Sequence, residues 1–227
     1  MHSSLVIAVL LPLLSSALPA TDGKPSISWN SDGRQVVSFA GDSAVNFDDL
    51  DAETGLDLPI RSLKSVCAYS LLSYDNLGVV NNAMTKKAGL KPFSKPNVLG
   101  FDKVFVPRGK QTITSKYNDS TTDFFDLKSF YFGCILTNVT SLGVVPVPCS
   151  MTVTAFFEEE PKAQQTVKFT PKGLWSTMAH AFLSRFEHVD RVQFGLEGNL
   201  ETKAFAVLFD NFEYDAILKK GARYEPD

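Results

Sequence analysis

The chain has 227 residues, 44 % of them apolar and 21 % charged, with 22 basic and 25 acidic side chains for a formal charge of −3. This is ordinary globular composition; it excludes a disordered, collagenous or coiled-coil chain, and the missing basic excess excludes a dedicated nucleic-acid binder. Eighteen Phe against six Tyr and two Trp point to aromatics spent mostly on a core.

Residues 5–14 read LVIAVLLPLL and lead into Ser15-Ser16-Ala17-Leu18-Pro19-Ala20. A short apolar run ending in small residues is the pattern of a secretory signal peptide, and it falls short of the roughly 20 apolar residues that a membrane-spanning helix needs. The chain is therefore read as a signal peptide over 1–17, a polar leader over 18–40 that carries Trp29, one domain over 41–218 and a tail over 219–227. The expected product is secreted and extracellular, monomeric and not membrane-spanning. Two sequons, Asn118-Asp119-Ser120 and Asn138-Val139-Thr140, mark Asn118 and Asn138 as glycosylation sites in that compartment.

From there the chain reads as strands. Residues 35–39 come first, then Val45, Phe47 and Asp49 alternating with Asn46 and Asp48. Residues 98–106, 111–116, 130–136, 150–157, 164–169 and 191–196 follow, and Phe205, Val207 and Phe209 begin the last strand. Residues 174–186 are read as the one helix, because Leu174, Met178, Phe182 and Phe186 recur every four residues. Nine or ten irregularly spaced strands with little helix predict an all-β, jelly-roll-like antiparallel sandwich.

Cys67, Cys134 and Cys149 allow one intramolecular disulfide. Cys134 ends one predicted strand and Cys149 opens the next, across a turn-rich link holding Gly143, Pro146 and Pro148. Antiparallel neighbours bring these two cysteines within bonding reach, and closing such a loop contributes about 3 kcal/mol. Cys67 is left as a buried free thiol. Between residues 86 and 110, seven basic side chains (Lys86, Lys87, Lys91, Lys95, Lys103, Arg108, Lys110) face one acid, Asp102. They read as a solvated basic loop or as a patch for an anionic glycan or lipid head group.

If strand alternation holds, Asp49 shares a face with Val45 and Phe47, and Asp210 one with Leu208 and Phe212. A carboxylate aimed at a core is costly unless it is paired or binds a metal, and neither strand offers a cation on that face. Oxygen ligands without His or Cys suit Ca²⁺, with Asp48, Asn211 and backbone carbonyls completing the shell.

The order Val45-Asn46-Phe47-Asp48-Asp49-Leu50, Phe125-Asp126-Leu127 through Tyr131-Phe132-Gly133-Cys134, Cys149, and Phe209-Asp210-Asn211-Phe212 resembles a group of secreted fungal proteins without an assigned activity. Their jelly-roll domains are similar to carbohydrate-binding modules. The resemblance spans residues 41–217. It implies a Cys134–Cys149 disulfide, N- and C-terminal strands lying side by side, and a structural calcium where they meet, held by Asp48 or Asp49 with Asp210. The Gly-Tyr-x-Gly segment and nearby Trp that often follow the first motif in that group have no counterpart here.

No Gly-x-Ser-x-Gly elbow, His-Glu-x-x-His pair or phosphate-binding glycine loop occurs. Nor is an organic cofactor implied. The expected function is non-catalytic recognition of a cell-wall or extracellular glycan through Tyr69, Tyr74, Phe93, Tyr117 and Trp175, since sugar binding combines flat exposed aromatics with polar groups. Alternatives are an apoplastic effector engaging a host surface component and a glycan-active hydrolase.

Overall fold

A computed structural model describes residues 23–50, 66–81, 89–102, 109–137, 144–173, 175–196 and 205–225. The signal-peptide reading, Asn138, Lys86, Lys87, Lys103, Arg108 and Leu174 lie outside the described residues.

The described chain is an antiparallel β-sandwich. Sixteen strands are described: β1 Ser26–Trp29, β2 Gln35–Phe39, β3 Ala68–Tyr69, β4 Leu72–Asp75, β5 Gly78–Asn81, β6 Leu90–Lys91, β7 Asn97–Asp102 and β8 Gln111–Thr114 form the first half. The second half comprises β9 Thr122–Thr137, β10 Val144–Pro146, β11 Cys149–Phe157, β12 Glu160–Phe169, β13 Ser176–Thr177, β14 Ala179–Phe182, β15 Arg191–Leu196 and β16 Phe205–Leu218. One sheet runs β1-β2-β16-β7-β5, with β9 on the other side of β16 and β10 and β14 beyond β9; the second runs β12-β11-β15-β8-β4-β3. β6 and β13 form a short parallel ladder.

β16 organises the first sheet. It pairs with β9 along its length, while its other edge meets β7 over residues 206–209 and β2 over residues 214–217. The start of the sandwich is thus zipped against its end, with a further bridge between Val45 and Phe212. The leader reading is corrected here: β1 and β2 fall within residues 18–40 and belong to the sheet, because Val37 and Phe39 alternate inward and are buried. The tail also docks, since the Tyr224 amide donates to Gln35 and its ring meets Phe39 edge-on.

The core between the sheets is largely Phe. Phe130, Phe194, Phe209 and Phe212 pack as one cluster, with Phe47 joined to it through Phe212. Edge-to-face and tilted contacts of this kind add to the gain from burial alone.

Two expected elements are absent. Residues 175–186 form no helix: Trp175 and Arg185 have φ of 69° and 67°, a left-handed backbone that a helix excludes. Phe182 is 68 % exposed, so the four-residue recurrence was not an apolar stripe; the segment instead pairs as β14 with β9. Residues 45–49 form no strand either, because Phe47 takes φ 63° and turns the chain so that Asp49 faces solvent. The only helical turn among the described residues is a 3₁₀ turn at Gly41–Ser43.

The Cys134–Cys149 disulfide is formed, joining the end of β9 to the start of β11 and so one sheet to the other. Cys67 is free as expected but exposed rather than buried, because it lies on the approach to the two-residue edge strand β3.

Candidate functional site

The two aspartates expected at the meeting of the terminal strands hold a loop. Asp210 is fully buried. Its Oδ2 accepts from the Ser94 amide at 2.8 Å, and its Oδ1 from Ser94 Oγ and the Asn211 amide, each at 2.9 Å. Asp48 Oδ1 accepts from the Asn97 amide at 2.8 Å. The two carboxylates therefore grip the loop between β6 and β7 at its middle and where it enters β7. Burial, opposed by the Ser94 hydrogen bonds and reinforced by the charge of Asp48, lifts the Asp210 carboxyl to about 6. Asp49 does not join them: it is exposed and accepts from the Tyr69 hydroxyl.

Two amide oxygens beside this pair lack partners among the described residues. Asn97 and Asn211 are buried, yet Oδ1 of each accepts nothing; the Asn97 Nδ2 donates to the carbonyls of Phe47 and Leu50. No three His, Cys, Asp or Glu side chains are grouped to hold a metal among the described residues, so a cation here depends on these amides. The donor set, two carboxylates with two orphaned amide oxygens, is all hard oxygen and fits Ca²⁺ in type.

The five expected sugar-contacting aromatics scatter. Tyr74 is a core residue, fully buried, on a strand whose only exposed residue is Asp75; its hydroxyl faces that of Tyr214 at 3.3 Å. Tyr69 is half-buried against Phe47. Tyr117 is half-buried in the turn after β8. Trp175 is 65 % exposed beside Gly89, at the far end of the β6–β13 ladder from Phe93.

Phe93 alone among the five enters an extended aromatic surface, and its partners were missed. Its ring stacks on Tyr131 at 4.2 Å, Tyr131 stacks on His180 at 4.2 Å, and His180 meets Phe182 at 3.9 Å. The row crosses from the gripped loop over β9 to β14 on the outside of the first sheet. Phe93 and Phe182, at its ends, are 61 % and 68 % exposed. Glu213 lies alongside, accepting from Ser129 Oγ and the Gly41 amide. Partial burial, with the charges of Glu213 and Asp210, pushes the Tyr131 hydroxyl up; burial holds the His180 imidazole below its ordinary value against Glu213. The signal in the sequence was there: Tyr131, His180 and Phe182 occupy outward positions on strands, but the helical reading of 174–186 concealed two of them.

The outside of the second sheet is different. Across it the register aligns Gln164, Thr154, Gln193, Thr112 and Asp75 on five strands. A cleft of about 450 Å³ is lined there by Asp75, Lys110, Thr112, Thr114, Arg191 and Gln193 among others, with no aromatic in its walls.

No helix among the described residues is long and apolar enough to cross a membrane. No protein-family model matches the chain, and no curated protein matches it either.

Proposed function

We propose that the protein is a secreted, non-catalytic binding module for an extracellular glycan, and that the Phe93–Tyr131–His180–Phe182 row is its sugar-facing surface. The observation that carries this reading is a pre-stacked aromatic row with two exposed terminal faces. An apolar pyranose face packs against such a ring, while Glu213 and the Tyr131 hydroxyl supply the polar contacts that fix orientation. Rings already packed on one another lose little side-chain freedom when a ligand arrives, which favours binding. The sandwich fold, the disulfide and an exposed Asn118 in the turn before β9 agree with an exported module of the carbohydrate-binding kind that the sequence resembles.

Calcium is part of the proposal. Bound by Asp48, Asp210, Asn97 and Asn211, it would supply a structural positive charge and no chemistry. Asp48 and Asp210 would keep the Phe93 loop seated, so the metal would act on binding by rigidifying the loop that carries the first ring.

The test is co-sedimentation of the mature protein with insoluble chitin, β-glucan, cellulose and pectin, alongside Phe93→Ala and Phe182→Ala. Retention on at least one polymer, lost in both variants with melting temperature unchanged, supports the reading. Wild-type protein remaining in the supernatant with all four overturns it.

A further inference from the structure

The cleft on the second sheet carries a separate site. Its acids are already engaged. Glu159 is held by both terminal nitrogens of Arg191, at 3.0 and 2.7 Å. The buried Asp190 accepts the Glu158 amide at 2.9 Å, and Asp75 accepts from Ser73 Oγ at 2.8 Å. Its lysines are not. Neither Lys110 nor Lys116 forms an ion pair among the described residues; the Lys116 ammonium has only the Asp123 carbonyl at 3.5 Å. Arg191 Nε is buried and donates to nothing described. The Thr112 and Thr114 hydroxyls donate to the Lys110 and Asp190 carbonyls, so the donors left over at this cleft are the two ammonium groups and Arg191 Nε.

The rim is built at a conformational cost. Glu158 and Glu159, the two residues between β11 and β12, both take positive φ, 49° and 69°. A tight hairpin of this twist is ordinarily made by Asn and Gly, and side-chain-bearing residues held there store strain. Asp190 and Arg191 hold this turn by gripping one glutamate each. Opposite, Asn76, with φ 58°, donates to the Lys110 carbonyl at 2.9 Å. Arg191 also lies over the Phe156 ring at 4.6 Å, which fixes the guanidinium plane. The two lysines flank β8 at either end, and six residues of near-extended chain span about 20 Å.

We infer that this cleft binds an acidic oligosaccharide whose carboxylates meet Lys110 and Lys116 while its hydroxyls lie along Thr112, Thr114 and Gln193. A chain of uronate units supplies what is missing here, acceptors in excess at both ends and alternating hydroxyls between them. The volume lies within the range of small-ligand sites. The site faces away from the aromatic row, so it stands or falls independently of that row.

Titration calorimetry of the full mature chain with tetragalacturonate, at low salt, tests this. Saturable binding that weakens with added salt is expected, and the Lys110→Gln/Lys116→Gln double variant should lose about tenfold in affinity, two exposed charge pairs' worth. Phe182→Ala should bind it as the wild type does. Equal affinity in the lysine double variant and the wild type overturns the inference, as does absence of binding at low salt. Cellotetraose binding equally well refutes the acidic specificity but leaves glycan recognition intact. Inorganic phosphate competing as effectively as the tetrasaccharide reduces the ligand to a simple anion and refutes the oligosaccharide.

Discussion

Asp48 and Asp210, 162 positions apart in the chain, anchor one loop, Asp210 at its middle through Ser94 and Asp48 where it enters β7 through Asn97. That loop delivers Phe93 onto Tyr131. The two carboxylates are close enough for Asp48 to raise the pKa of Asp210, so the anchor carries an electrostatic cost that a cation would remove.

Burial of Asp210, with that repulsion added, sets a pH dependence. The Asp210 carboxyl is lifted from 3.8 to about 6, so the folded state holds its proton more tightly than the unfolded one. Stability from this group is full below about pH 4 and is lost as pH rises through about 6, with a difference on the order of 3 kcal/mol. Asp126, also raised chiefly by burial, acts in the same direction. Urea denaturation in the presence of a chelator should show wild-type stability falling between pH 4 and pH 7, and Asp210→Asn falling less. Calcium at pH 7 should restore the wild type and leave Asp210→Asn unmoved; no response to calcium in the wild type rejects the metal.

The disulfide makes a different demand. Cys134 and Cys149 close a loop of 15 residues between the two sheets. Reduction frees that loop in the unfolded chain and should cost about 3 kcal/mol. A reductant should lower the urea midpoint, and a Cys134→Ala/Cys149→Ala variant should match the reduced protein and no longer respond. Cys67→Ser, at an exposed position, should leave the midpoint within about 0.5 kcal/mol of the wild type.

Much of the sandwich was legible because its strands keep a period of two. Met151, Val153 and Ala155 on β11 and Val192 and Phe194 on β15 are all buried, with half-buried neighbours between them. The middle of β16 was not, since burial of Leu208, Phe209, Asp210, Asn211 and Phe212 in succession erases alternation where a bulge at Asn211, φ 46°, re-aims the chain. The buried carboxylate at Asp210 was visible as an acid among apolar residues. Its main partner was not, because Ser94 sits more than 100 residues away in a stretch without periodicity. The aromatic row was hidden for a related reason: it is assembled from a loop, β9 and β14, and only pairing of His180 with Tyr131 brings the rings together.

The buried tyrosine pair should respond asymmetrically to loss of its hydroxyls. Tyr214 donates to the Ser70 carbonyl at 2.6 Å, which leaves the Tyr74 hydroxyl to donate to Tyr214 across 3.3 Å. Tyr214→Phe strands both a carbonyl and a hydroxyl and should cost about 2–3 kcal/mol; Tyr74→Phe strands one acceptor lone pair and should cost about 1 kcal/mol. Both tyrosines are pushed above the ordinary phenol range, chiefly by burial. In an alkaline titration followed by ultraviolet absorbance they should stay un-ionised until the protein unfolds, and early ionisation of Tyr74 in the wild type would contradict its buried placement.

Close backbone approach between β7 and β16 separates two glycines that look alike in sequence. A Cβ on Gly100 would lie 2.8 Å from Leu208 Cδ2 and 3.0 Å from the Val207 carbonyl oxygen. The leucine tip can rotate away, but the carbonyl belongs to the paired strand and cannot. A Cβ on Gly133 would have the side chain of Leu90 as its nearest neighbour, at 2.8 and 2.9 Å. Gly100→Ala should therefore push β7 from β16 and cost about 2–3 kcal/mol, whereas Gly133→Ala should cost about 1 kcal/mol through a shifted Leu90 rotamer. β7 begins at Asn97, the residue that Asp48 grips, so Gly100→Ala should also loosen the Phe93 loop and weaken retention on a glycan polymer, while Gly133→Ala leaves that loop anchored. Denaturation midpoints give the first comparison and co-sedimentation the second; equal losses in both variants would show that the strand-to-strand approach at Gly100 does not govern the loop.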